Sequence, residues 1–290
     1  MNKEFFVSTF REWRLYIETF LKWLVIASLI GGAGGLIGAI FHHSIDMAEV
    51  FRSTHPWLLW LLPIAGLLIV GFYKMTRTEG LNTNHVIRAV HKGKRLSVLL
   101  MPAIFFATVL TQLCGGSAGR EGAALQMGGT IGQWIGRGLY LDDSDLRIAT
   151  LAGMAAFFSA LFGTPLAAAV FAVMVISIGI LYHVALVPCL IASLSAYFLA
   201  GALGVQPVRF EVEVPEASAL TFFQVGFLGI LCALVSIFFC MMMHGAEKGM
   251  RKILPNAWLR VLAGAGIIIV LTYLCGTNDY NGVGMGVIAA

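Results

Sequence analysis

The sequence predicts an all-α, polytopic membrane protein built from inverted repeats with broken half-helices. Three observations predict it. Of 290 residues, 59% are hydrophobic and 12% charged, whereas a soluble domain carries about 25% charge. Apolar runs long enough to cross a bilayer recur along the whole chain. Between two of them, residues 115–129 (GGSAGREGAALQMGG) place Arg120 and Glu121 among glycines and small residues.

Composition also excludes several functions. The net charge of +4 is spread over short loops and not gathered on one face, so no nucleic-acid partner is expected. Cys114, Cys189, Cys232, Cys240 and Cys275 all lie in apolar runs without a metal-ligand spacing, and the seven histidines form no HExxH. Buried structural thiols are expected, and neither a metal nor another cofactor.

Taken in order, residues 1–20 mix charge with Phe6, Phe10, Trp13, Tyr16 and Phe20 at helical spacing, which predicts an interfacial amphipathic helix and not a signal peptide. A first span follows at about 21–45, rich in glycine and so suited to close helix packing; His42-His43 falls near its expected end, within reach of interfacial water. A second span covers 57–74. The turn at Gly80 to Asn84 leads to a short amphipathic piece, 85–90, too short to cross. After a basic segment come a span at 96–113, the central stretch, and a helix from about Gly122 to Gly138. Asp142, Asp143 and Asp145 cap a helix at 146–161. Pro165 ends that helix region and can open the next, since proline fits a first turn and not an interior. Helices at 166–181 and 183–203 complete a first transmembrane repeat, 21–203. Residues 204–218, with alternating Val and Glu, form an external linker able to make a short strand. The start of a second, incomplete repeat occupies 219–290, with spans at 220–244 and 257–275.

One constant offset carries His43 onto His244, Trp57-Leu58 onto Trp258-Leu259 and Val86-Ile87 onto Val287-Ile288. The order of elements matches as well. Loop charge says that the copies are inverted: Asp46, Glu49 and Arg52 follow the first copy's span, and Glu247 against Lys248, Arg251, Lys252 and Arg260 the second's. The segment holding Lys74, Arg77, Arg88, Lys92, Lys94 and Arg95 is then cytoplasmic, as is the N-terminus, and Glu211, Glu213 and Glu216 are external. Inverted repeats whose broken helices meet at the midplane are transporter architecture.

In the central stretch the glycines let backbone N–H groups face a ligand, and a helix starting near Gly122 adds its positive dipole end. An anion nest is predicted, with Glu121 in a dry crevice, because intramembrane charge is functional by default. The plain alternative is a tight surface loop at the headgroups, against which Gln126 to Gly129 continue the small, polar character into the following helix.

The run Gly119-Arg120-Glu121-Gly122-Ala123-Ala124-Leu125-Gln126 resembles the G-R-E-G-P-x-V-Q signature of the chloride channel and anion/proton antiporter (CLC) family, and Gly153 to Val173 is similar to the segment after it. The resemblance implies transport of a halide anion, fluoride or chloride, coupled to protons through Glu121 as gating glutamate. It implies an anion site made by Gly119, Arg120, Gly122 and Ala123, with Asn82, Thr83 and Asn84 at the inner face. It also implies a multi-pass inner (plasma) membrane location and a homodimer, for which the helix at 166–181 offers a contact face. Two departures, Ala123 in place of proline and Leu81-Asn82-Thr83-Asn84 in place of a serine motif, look like the fluoride/proton antiporter branch. Val173-Met174-Val175 lacks the internal glutamates of chloride exchangers. The family's later G-x-F-x-P half-helix and tyrosine are missing from these 290 residues.

Two other classes compete. One is a truncated, non-transporting remnant of the family. The other is an intramembrane serine hydrolase, because Gly115-Gly116-Ser117-Ala118-Gly119 satisfies G-x-S-x-G and His183 or His244 would supply a base.

Overall fold

The first helix sets the scale of the molecule. In the computed structural model, which describes residues 3–92, 95–175, 182–207 and 218–284, α1 runs unbroken over Lys3–Thr54. The expected interfacial helix and first span are therefore one element of about 78 Å at the usual rise per residue, far longer than a hydrocarbon core of about 30 Å. Its glycines form two seams. A Cβ at Gly31 or Gly35 would press on Ala192 and Ala196, and one at Gly34 or Gly38 on Ala156 and Ala160. The close packing read from glycine density is thus the joint that holds α1 against two later helices.

A 3-10 turn, Pro56–Leu61, leads into α2 (Leu62–Met75), and α3 (Thr83–Lys92) follows. Helix α4 spans only Leu100–Leu113, shorter than the expected 96–113, because residues 95–97 are not helical and a turn precedes Leu100. Then come α5 (Glu121–Gly138), α6 (Asp143–Phe162), α7 (Pro165–Met174), a short 3-10 turn at His183–Ala185, α8 (Leu186–Ala202), α9 (Ala219–Ile253) and α10 (Ala257–Cys275). Asp142 caps α6 as expected, its Oδ1 accepting from the Asp145 amide at 2.8 Å, and Pro165 opens α7. The end of the 166–181 helix, the linker strand with Glu211, Glu213 and Glu216, Lys94, Val287-Ile288, and the side chains of Phe6 and Phe10 lie outside the described residues.

Helix α6 is the hub: it is buried along most of its length and packs against α1, α5, α7 and α8. Six helical stretches among the described residues are long and apolar enough to cross a membrane. Helix α9 has no buried residue, and α10 buries only Ala265 and Ile269. That corrects the expectation for the thiols. Cys114 and Cys189 are buried, but Cys232, Cys240 and Cys275 are exposed, because they sit on these two apolar helices with little packed over them. The His42-His43 pair also differs from expectation: it lies three turns before the end of α1, and His42 is buried.

Helices α2 and α10, which the constant offset makes correspond, pack side by side. Lys74, at the end of α2, stands 5.2 Å over the ring of Trp258 at the start of α10. Trp60, just before α2, donates from Nε1 to the Tyr273 hydroxyl near the end of α10, at 3.1 Å. Contacts from end to start and from start to end make α2 and α10 antiparallel, as corresponding helices of oppositely oriented copies must be. The same contacts put Lys74 and Arg77 at the end of the molecule where the last turn of α9 carries Arg251 and Lys252.

Candidate functional site

Residues 114–120 link α4 to α5 without regular structure. Gly115 turns the chain at φ +78°, and the Gln112 side-chain amide donates to the Ala118 carbonyl, fixing the descent toward Arg120. The first bond of the α5 ladder runs from the Ala124 amide to the Arg120 carbonyl at 2.9 Å, so the amides of Glu121, Gly122 and Ala123 precede the ladder and are free to face a ligand.

A second helix begins at the same point. Asn82 caps α3, its Oδ1 accepting from the His85 amide at 3.1 Å while its carbonyl takes the same amide at 2.8 Å. The two N-termini are tied together: Gln126 donates from Nε2 to Thr83 Oγ1 at 3.2 Å and to the Gly122 carbonyl at 3.2 Å, and a Cβ at Gly122 would sit 3.3 Å from Thr83 Oγ1. Two positive dipole ends therefore converge on the space in front of Gly122 and Thr83. The Gln126 Oε1 is buried with no partner among the described residues.

The Glu121 carboxylate folds back over Gly119, where a Cβ would collide with it. Its side chain is exposed, not enclosed in the dry crevice that the sequence suggests. Among the described residues α5 packs against α1, α3, α4 and α6. Arg120 behaves differently. It is 5% exposed, with Nη1 3.4 Å from His42 Nδ1 and 4.0 Å from Asp46 Oδ1. Asp46 lies eight residues before the end of α1, so this group sits about 12 Å below that end.

Of the residues singled out in the sequence, the fold thus brings together Gly119, Arg120, Glu121, Gly122, Ala123 and Thr83. Asn82 is at the rim as a helix cap, and Asn84 is exposed, its carbonyl accepting from Arg88 Nε. The partners of Arg120 and the Gln126 tie were missed. The i, i+4 spacing of His42 and Asp46 was the only available signal, and many helices show it. Ser117 follows a helix where a hydrolase elbow needs a strand, and His244 Nδ1 faces the Cys240 carbonyl within its own helix at 2.8 Å.

Residues 64–290 match the sequence profile of the voltage gated chloride channel family. The chain belongs to that family. This CLC chain is 33% identical over 262 residues to the chloride/fluoride channel protein of Pseudomonas syringae pv. tomato, covering 89% of the chain and 58% of that relative. It is 31% identical over 170 residues to the H(+)/Cl(-) exchange transporter ClcA of Cronobacter sakazakii, covering 53% of the chain and 36% of the relative. The crystal structure of a CLC-type fluoride/proton antiporter superposes with a TM-score of 0.87 at 28% identity, covering 93% of this chain and 69% of that one. A slow cyanobacterial Cl-/H+ antiporter shares the fold at a TM-score of 0.72 and 22% identity. The CLC chain therefore spans less than two thirds of the length of the chloride/fluoride channel protein that it matches.

Proposed function

We propose that this chain forms part of a proton-coupled pathway for a halide anion, fluoride or chloride, across a cell's inner membrane, with the N-terminus cytoplasmic. The convergence of the α3 and α5 N-termini, joined by Gln126 and Thr83, carries the proposal. The amides of Glu121 to Ala123, with Gly119 leaving room for the carboxylate, supply donors for an anion. Asn82, Thr83 and Asn84 edge the same space from α3. Glu121 is the gate: ionised, its carboxylate competes with the anion for these amides, and protonated, it gives them up. One side chain thus couples the two ions. Arg120, engaged with α1, contributes field and anchorage in place of direct ligation.

On this reading residues 21–203 are a first repeat, 204–218 an external linker and 219–290 the start of an inverted second, with 1–20 at the interface. The chains pair as homodimers through the face that includes α7. Relatives named as a chloride/fluoride channel and as a fluoride/proton antiporter support fluoride among the halides. The exposure of Glu121 favours a second reading, a CLC chain that does not transport alone.

The test is the full chain in liposomes, with fluoride and chloride efflux followed by ion-selective electrodes and proton uptake by a pH electrode. Anion flux whose proton coupling disappears in Glu121→Ala is the expected result. Absence of flux for both ions establishes the second reading.

A further inference from the structure

On α1 the imidazole of His42 stands between two charges. Its Nε2 lies 3.1 Å from Asp46 Oδ2 and its Nδ1 3.4 Å from Arg120 Nη1. A guanidinium only donates and an ionised carboxylate only accepts. One tautomer satisfies both contacts: a hydrogen on Nε2 donated to Asp46, and a lone pair on Nδ1 taking the Arg120 N–H. The other titratable group facing His42 is His43, its ring 5.8 Å away and its own Nε2 directed at the Leu203 carbonyl at 2.9 Å. Asp46, Arg120 and His43 are the charged or titratable groups that act on His42. His42 and Arg120 are buried, while the Asp46 side chain is 48% exposed and leads to the surface. Arg120 has one further buried nitrogen, Nε, with no partner among the described residues, so its hold on α1 depends on the His42 and Asp46 contacts.

We propose that His42 is a positioning residue for Glu121, acting through Arg120. Neutral, it accepts from Arg120 and pins the residue from which α5 starts. A proton arriving past Asp46 converts Nδ1 into a donor. Two donors then face each other, Arg120 loses its acceptor, and the first turn of α5, with Glu121 on it, loosens. The step is proton uptake alone, with no other bond made or broken. Its meaning for transport rests on the proposed function, but the geometry does not.

The experiment is hydrogen–deuterium exchange of the full chain in lipid nanodiscs, read on the bonded first-turn amides in peptides covering 124–128 at about pH 5 and about pH 8, either side of the ordinary imidazole range, after correction for intrinsic rates. Loss of a hydrogen bond to a charged group predicts a roughly tenfold rise in first-turn opening at the lower pH. His42→Asn keeps an acceptor at the δ position but takes no proton, so it should exchange slowly at both pH values. His42→Leu removes the acceptor and should exchange fast at both. Unchanged exchange in the wild type, or a pH step that survives in His42→Asn, overturns the proposal. Flux in liposomes separates the two readings. A wild type without flux refutes transport and leaves the exchange result standing; flux whose pH step persists in His42→Asn refutes the role of His42 in transport.

Discussion

Replacing Gly153 by alanine is the sharpest test of how α5 is held. Its Cβ would collide with the Gly128 carbonyl and lie 2.8 Å from both N and Cα of Gly132. The approach is reciprocal: a Cβ at Gly128 would meet the Gly153 carbonyl, and one at Gly132 the Ala149 carbonyl. Every one of these obstacles is backbone, so no rotamer change relieves the clash and α5 must move off α6. Overpacking of this kind costs about 1–3 kcal/mol, against which the helix propensity gained on replacing glycine returns up to about 1 kcal/mol. Gly138→Ala is the internal control. It sits in the last turn of α5 with nothing within 4 Å of its would-be Cβ, so it should be neutral or slightly stabilising. Thermal unfolding in detergent, followed by tryptophan fluorescence, should show Gly153→Ala lower by roughly 2–4 °C for each kcal/mol lost. Equal midpoints for the two variants would refute the claim that backbone contact fixes α5.

Two more expectations follow from single contacts. Gly119→Ala meets only the far end of a flexible side chain, the Glu121 carboxylate, so its midpoint should stay within about 0.5 kcal/mol of wild type, while halide flux in liposomes should shift in the same direction as in Glu121→Ala. Asp142→Ala removes the cap that accepts from the Asp145 amide and should cost about 1 kcal/mol in the same unfolding assay, whereas Asp142→Asn should lie near wild type.

Much of the fold was legible because the bilayer imposes simple rules. Helix α10 was placed from its first residue to its last, since Asn256 and Gly276 mark its ends chemically: Asn256 Oδ1 accepts from the Trp258 amide, and Gly276 closes the helix at φ +66°. The break at Phe162 to Pro165 was equally plain, with Gly163 left-handed at φ +68°. Helix α1 was cut too early because charge within residues 1–20 reads as an interface, and nothing in local sequence reveals that the helix continues through it. Burial was the least legible property. Cys232 and Cys240 lie in runs as apolar as that around Cys189, yet only the last is covered. Hydropathy reports that a segment leaves water; it does not report whether lipid or protein replaces the water. The Arg120 cluster was hidden for a related reason, since His42 and Arg120, 78 positions apart, meet only once the chain between them has folded.

The exposure of Glu121 bears on the proposed gate in a definite way. A carboxylate and a halide are both anions, and at contact distance in a medium of low dielectric their repulsion exceeds thermal energy many times over. They cannot share the amides of Glu121 to Ala123, so a gate of this kind needs somewhere to go when the ion arrives. The geometry provides that freedom: Gly119 leaves the carboxylate unobstructed, and the Glu121 side chain is exposed. Anchorage comes from the neighbouring residue, because Arg120 is held by α1 while Glu121 is not.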